Sequence, residues 1–156
     1  MSLSTQFSDT TVSRSGASTD QLAALAWPMV RIVTGLLLIP HGAQKLFGWF
    51  GGHGLAGTAQ FFETALNMSP GLLWAGLAGA VEVFGGIALV LGLFTRTAAL
   101  AVAVLMAVAI TVHLPQGFFW NAGGFEYPLM WGVLALALVL RGGGPYSLDA
   151  RLGLRF

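Results

Sequence analysis

Four long apolar runs with few charges most constrain what this chain can fold into. A helix that crosses a bilayer needs roughly 20 consecutive apolar residues, and the runs predict spans over residues 22–47, 72–94, 97–114 and 124–141. The last run is short for a full crossing, so local thinning of the bilayer is expected there. Charged residues make up 8% of the chain, against about 25% in soluble domains. We therefore predict an all-α, polytopic membrane protein built as a four-transmembrane-helix bundle.

The segments outside the runs predict the domain organisation. Residues 1–20 are rich in Ser and Thr and lack the basic start of a signal peptide, so we predict a disordered cytoplasmic tail. Residues 21–156 then form a single membrane domain that ends in a short C-terminal cytoplasmic tail. Between the first two spans, the stretch "TAQFFETALNM" predicts a short helix lying in the membrane interface.

The basic residues predict the orientation. With four spans, both termini and the link between spans two and three face one side, which holds Arg14, Arg96, Arg141, Arg151 and Arg155. The opposite side holds only Lys45, at the membrane edge. Because Lys and Arg concentrate in cytoplasmic connections, we predict a multi-pass protein of the cytoplasmic (inner) membrane, with both termini in the cytoplasm.

The composition excludes several classes of function. The net charge is +1 and there is no basic patch, so nucleic acid is not an expected partner. Cysteine is absent, which excludes disulfides, thiol catalysis and Cys-ligated metals. Because only two or three other suitable ligands converge, we predict no metal site.

Ionisable side chains inside the first two spans predict a polar site within the membrane, because such groups are costly in lipid and face the bundle interior. Arg31, His41 and Lys45 fall within an arc of about 80° on the first span. Glu82 lies near the middle of the second span, among small residues that allow close helix packing. We predict that Glu82 pairs with Arg31. The pair either fixes the helix register or supplies a functional carboxyl group.

Further polar residues mark the outer mouth of the bundle. His41, Gln44 and Lys45 end the first span there, while His113 ends the third and Glu126 begins the fourth. Together with Arg31 and Glu82, these residues form the predicted site. In the C-terminal tail, Asp149 follows a Gly-Pro turn. It either folds back toward Arg96 or Arg31 or remains a solvated carboxylate.

Four segments in order resemble the DoxX family of small four-helix membrane proteins: "RIVTGLLLIPHGAQKLFG", "AGAVEVFGGIALVLGLFTR", "VHLPQGFFWNAGGFEYPLMW" and "GGGPYSLDARLG". By these motifs, the resemblance implies that the family's typical polar positions are Arg31, His41, Gly42, Lys45 and Glu82. It also implies that Glu126 and Tyr127 mark the start of the fourth span, and Ser147, Leu148 and Asp149 the tail. The resemblance implies an association with quinol-oxidising and thiosulfate-oxidising respiratory complexes. Its disulfide-handling relatives use cysteines, so that chemistry is closed to this chain.

Three hypotheses of function follow. The first is a membrane subunit that supports quinone-linked redox chemistry in a respiratory or detoxifying complex, as an accessory subunit of a membrane oxidoreductase. No redox centre is evident in the chain, so its partners would be the lipid bilayer and a redox protein; a homo-oligomer is also compatible with the sequence. The second is a non-enzymatic carrier for a small molecule, and the third is a structural assembly subunit. A haem between His41 and His113 is disfavoured, because both rings lie near the membrane edge.

Overall fold

The computed structural model describes the backbone of residues 10–154 and the side chains of residues 22–154. All regular elements in this part of the chain are helical, so the predicted all-α class is confirmed. The α-helices are α1 (Thr10–Phe47), α2 (Gly54–Thr64), α3 (Gly71–Leu91), α4 (Thr95–His113), α5 (Glu126–Arg141) and α6 (Leu148–Leu152). Short 3-10 turns lie at Trp49–Gly51, Leu114–Gln116 and Trp120–Ala122.

Three helical segments in the described residues are long and apolar enough to cross a membrane: Leu22–Phe47, Gly71–Leu91 and Thr95–Gln116. They correspond to the first three predicted spans. The fourth predicted span corresponds to α5, which has 16 residues and is therefore about 24 Å long at 1.5 Å per residue. It is shorter than the roughly 30 Å of a typical hydrocarbon core.

Helix α5 nevertheless packs antiparallel along α4 as part of the bundle. Gly132 faces Met106 near the middle of the pair, and Gly142 lies beside Arg96 at one end. Fully buried apolar residues from α1, α3, α4 and α5 form one core: Leu38, Leu89, Ala99, Val102, Ala135 and Leu138 are among them. The fourth helix is therefore as much a part of the core as the three longer ones.

The N-terminal helix begins earlier than the sequence predicts. Residues 1–9 and 155–156 lie outside the described residues, as do the side chain of Arg14 and all of Arg155. From Thr10 onward the backbone is helical, although we predicted disorder as far as residue 20. Ser and Thr carry only small helix penalties, and extending an existing helix is far easier than nucleating one.

The two ends of the bundle differ in character. The tail end consists of residues 92–94, between α3 and α4, and residues 142–154 with α6. The aromatic end consists of residues 48–70 and 114–125, where most rings are exposed. The helix predicted between the first two spans lies there as α2. Its Glu63 carboxylate accepts a hydrogen bond from the N–H of Gly71 at 2.7 Å, which joins α2 to the start of α3.

Glycines allow α1 and α3 to cross closely. A Cβ atom at Gly35 would collide with the carbonyl oxygen of Gly86. A Cβ atom at Gly42 would lie 2.7 Å from the carbonyl oxygen of Gly79 and 2.8 Å from Cβ of Glu82. The backbones can approach this closely because no side chain separates them.

We expect Gly42→Ala to lower the free energy of unfolding by about 1–3 kcal/mol, because the added methyl group must push α1 away from α3. Gly76→Ala is the matched control: a Cβ atom at Gly76 meets nothing within 4 Å, and alanine favours a helix by up to about 1 kcal/mol over glycine. Unfolding in detergent micelles measures both variants. Equal stability of the two would contradict the close crossing.

Candidate functional site

A buried ion pair joins α1 to α3. Lys45 donates hydrogen bonds to both carboxylate oxygens of Glu82, at 2.8 and 2.7 Å. Glu82 is 5% exposed, whereas the Lys45 side chain is 30% exposed. The predicted pairing of Glu82 with Arg31 is therefore wrong. Lys45 begins at the membrane edge, and its long side chain reaches inward to the carboxylate.

Arg31 instead belongs to the tail end. It is 1% exposed and donates hydrogen bonds to the carbonyl oxygens of Leu89 at 3.0 Å and Tyr146 at 2.8 Å. It thus connects α1 to the end of α3 and to the C-terminal tail. It also interacts electrostatically with Asp149.

Asp149 folds back onto the start of α4. Its carboxylate accepts hydrogen bonds from the backbone N–H groups of Phe94 at 2.7 Å and Thr95 at 2.9 Å. Its own N–H donates to the carbonyl oxygen of Gly92 at 2.9 Å. A carboxylate at this position satisfies N–H groups that have no partner within the helix and complements the helix dipole. The hydrogen bonds of Asp149 therefore go to backbone, not to Arg96 or Arg31.

The backbone around Glu82 is irregular. Residues Val81–Gly85 form a π-helical turn inside α3, flanked by α-helical turns on both sides. Such single turns insert an extra residue into a helix and are frequent at functional sites. In this chain the turn carries the carboxylate that faces Lys45.

A cavity of about 300 Å³ lies beside the ion pair, toward the aromatic end. Its walls are mostly apolar and come from α1, α2, α3, α4 and α5, with Trp131 and Phe62 among them. Six residues with polar groups also line it: His41, Lys45, Thr58, Glu82, His113 and Tyr127. A mostly apolar cavity with a few converging polar groups is typical of a small-molecule site, and this volume is at the small end of the usual range.

Four of the seven residues predicted for the site line this cavity: His41, Lys45, Glu82 and His113. Gln44 and Glu126 hold neighbouring loops instead, because Gln44 donates to the carbonyl oxygen of Phe50 at 3.3 Å and Glu126 accepts from the N–H of Trp120 at 3.1 Å. Arg31 lies at the opposite end. The ring nitrogen Nδ1 of His113 also contacts the carbonyl oxygen of Gly123 at 2.7 Å, which fixes the orientation of its ring.

Our prediction of the site did not include Tyr127, Trp131 or Thr58, which also line the cavity. Tyr127 and Trp131 are four residues apart on α5, so they share one face of that helix. That spacing could have predicted both residues for the site. Tyr127 was also among the positions matched to the motifs of the DoxX family. Within residues 22–154, no group of three His, Cys, Asp or Glu side chains could hold a metal ion.

The sequence model of one family, DoxX, matches residues 26–114, which is more than half of the chain. The chain belongs to the DoxX family. The match covers α1 from residue 26 onward and all of α2, α3 and α4, and therefore includes the Lys45–Glu82 pair and both histidines of the cavity.

Relatives of this DoxX protein occur in two well-studied bacteria. It is 39% identical to an uncharacterized protein of Haemophilus influenzae over 104 residues, or 61% of this chain and 78% of that protein. It is 34% identical over 111 residues to a Bacillus subtilis protein named "Putative oxidoreductase CatD", covering 70% of this chain and 75% of that protein. No solved structure matches the chain.

Proposed function

We propose that this DoxX protein is a membrane subunit that supports quinone-linked redox chemistry, in a respiratory or detoxifying complex of the cytoplasmic membrane. The observation that carries the proposal is the small, largely apolar cavity that holds the Lys45–Glu82 pair and two histidines. The name of the Bacillus subtilis relative supports a redox association.

The cavity offers what a quinone ring requires. The flat ring is apolar on both faces, and Trp131 and Phe62 supply aromatic walls. Its two carbonyl oxygens, on opposite sides of the ring, each need a hydrogen-bond donor. His41 and Lys45 on α1 can serve one, and Tyr127 on α5 can serve the other. His113 on α4 can serve it as well, through Nε2 of the protonated ring, because its Nδ1–H already donates to Gly123.

Reduction of a quinone to a quinol takes two electrons and two protons, one proton for each carbonyl oxygen. The imidazole groups of His41 and His113 line the cavity and can donate these protons and recover them from solvent. The electrons come from a partner oxidoreductase. The chain itself binds and orients the ring, as proteins do for redox cofactors.

We also propose that α5 is a fourth span and that both termini are cytoplasmic. Its close packing along α4 and its buried Ala135 and Leu138 support a full crossing with local thinning of the bilayer. Arg96, Arg141 and Arg151 lie toward the tail end, where basic residues favour the cytoplasm.

Binding of a short-chain quinone tests the proposed function. We expect ubiquinone-1 or menadione to raise the melting temperature of the purified protein in a saturable manner, because a ligand that binds the folded state stabilises it. We expect His41→Gln combined with His113→Gln to weaken that binding by about tenfold or more, through the loss of one hydrogen bond at each carbonyl.

His53→Gln is the matched control for the histidines. His53 is exposed at the start of α2 and does not line the cavity. We expect it to bind quinone as the wild type does. Absence of any saturable stabilisation, or equal weakening by His53→Gln, would contradict the proposal.

The absence of cysteine makes the topology directly testable. We introduce one cysteine at Ala122 or at Leu152, both exposed, at opposite ends of the bundle. In intact cells, a membrane-impermeant maleimide should label Ala122→Cys at once and Leu152→Cys only after permeabilisation. Labelling of both in intact cells would show that α5 does not cross.

A further inference from the structure

A second cavity, of about 370 Å³, lies at the tail end, apart from the cavity that contains the Lys45–Glu82 pair. It is lined by two arginines, by the three consecutive glycines 142–144 and by Ser147, with Asp149, Ala150 and Leu154 completing the wall. Arg96 comes from the first turn of α4 and Arg141 from the last residue of α5. The antiparallel packing of these helices is what brings the two guanidinium groups to one cavity.

Neither of these two arginines forms an ion pair with a described residue. The ion pair found among the described residues is Lys45–Glu82, and neither Arg96 nor Arg141 has a hydrogen-bond partner among residues 22–154. The carboxylate of Asp149, which also lines the cavity, is already held by the N–H groups of Phe94 and Thr95. Two guanidinium groups and one carboxylate therefore leave the cavity with a net positive charge.

The glycine loop keeps the cavity wall free of side chains. Nε of Arg96 lies 3.1 Å from the position that a Cβ atom of Gly142 would occupy, and Gly142 has a φ angle of +77°. Next to it, Gly143 packs directly against the hydroxyl group of Thr95. That hydroxyl is buried and has no hydrogen-bond partner in the described residues. Thr95 itself is not part of the cavity wall. The cavity thus combines two guanidinium groups that have no hydrogen-bond partner among residues 22–154 with a loop that carries no side chains.

We propose that this arginine–glycine cavity binds a phosphate group. Guanidinium groups bind phosphate oxygens in pairs with charge-assisted hydrogen bonds, and a glycine loop lets an anion approach the backbone closely. The phosphate belongs either to the headgroup of an anionic lipid or to a soluble phosphate compound. The site is separate from the quinone cavity, and its function does not depend on the proposal for that cavity.

The test compares the wild type with a variant that combines Arg96→Gln and Arg141→Gln. Arg151→Gln is the matched control, because Arg151 is an exposed arginine of the same tail that does not line the cavity. In one arm, native mass spectrometry measures retained phosphatidylglycerol against a background of phosphatidylcholine. In the other arm, the melting temperature of the protein in a sugar-based detergent is measured as a function of the concentration of inorganic phosphate.

We expect the wild type and Arg151→Gln to bind the phosphate probe in at least one arm. We expect the double variant to bind it at least about tenfold more weakly, since each arginine contributes to anion affinity. Binding in the first arm alone identifies a lipid headgroup, and binding in the second arm identifies a soluble phosphate. If the double variant is unfolded in the absence of ligand, the single variant Arg141→Gln is used in the same two arms. Equal binding by all variants, or no binding by the wild type in either arm, overturns the proposal.

Discussion

Replacement of Glu82 by glutamine is expected to destabilise this DoxX protein by about 2–3 kcal/mol, because it leaves the Lys45 ammonium group without its carboxylate. This value lies below that for a fully buried pair, since the Lys45 side chain keeps 30% of its surface exposed. Glutamine keeps the shape of the side chain, so the loss reports the charge interaction. Unfolding in detergent micelles measures it.

A double variant separates the structural from the functional role of the pair. Lys45→Met combined with Glu82→Met replaces both charges by apolar groups of similar length, and such replacements are often neutral or stabilising. We therefore expect the double variant to recover most of the stability that Glu82→Gln loses. If the pair also serves the cavity, the double variant does not bind quinone although its folding is restored.

Two other results would assign the pair differently. Recovery of both stability and quinone binding in the double methionine variant would make the pair a packing device only. A stability of Glu82→Gln equal to that of the wild type would show that the 2.7 Å contact carries no net free energy. Unfolding and quinone binding, measured on the same variants, therefore distinguish the structural role of the pair from its functional role.

The membrane-spanning helices of this protein could be predicted from its sequence, because the length of an apolar run is a strong indication of a span. The first three predicted spans begin and end within a few residues of the apolar helical segments Leu22–Phe47, Gly71–Leu91 and Thr95–Gln116. The early start of α1 at Thr10 was not readable, since Ser and Thr have no strong preference for helix or coil.

The partner of Glu82 was not readable, because it depends on how α1 and α3 are aligned along their axes. In the structure Gly35 meets Gly86, and Gly42 meets Gly79, so the helices are antiparallel with Leu89 level with Arg31. Glu82 is seven residues from Leu89, or about 10 Å along the axis. Matching the small residues of the two helices puts Glu82 level with Ile39, six residues from Lys45 and eight from Arg31. It would have made Lys45 the nearer candidate, with its long side chain covering the remaining distance.

The cavity was partly predictable for a related reason. His41, Lys45 and His113 were placed at one mouth of the bundle by span topology alone, and all three line the cavity. Gln44 and Glu126 share that mouth but bond to loop backbone, a choice that depends on loop conformation. No periodic pattern in the sequence encodes that conformation.

Replacement of Arg31 by methionine is expected to release the C-terminal tail and to destabilise the protein by about 2–3 kcal/mol, because one buried and one partly buried carbonyl group lose their donor. Those groups are the carbonyl oxygens of Leu89 and Tyr146. The tail amide of Asp149 is protected by its bond to Gly92, so its hydrogen exchange should accelerate strongly. Arg151→Gln, on the exposed face of α6, is the control and should leave that exchange unchanged.

Arg31→Lys tests whether the guanidinium fork or the charge alone holds the tail. An ammonium group is a point charge and lacks the two separated donors that span from Leu89 to Tyr146. We therefore expect the lysine variant to exchange the Asp149 amide faster than the wild type but more slowly than Arg31→Met. Wild-type exchange in Arg31→Met would mean that the bonds of Asp149 to the start of α4 hold the tail without Arg31.

Because the quinone cavity lies toward the other end of the bundle, quinone binding should survive in Arg31→Lys. Loss of quinone binding in that variant would show that the two ends are coupled through α1.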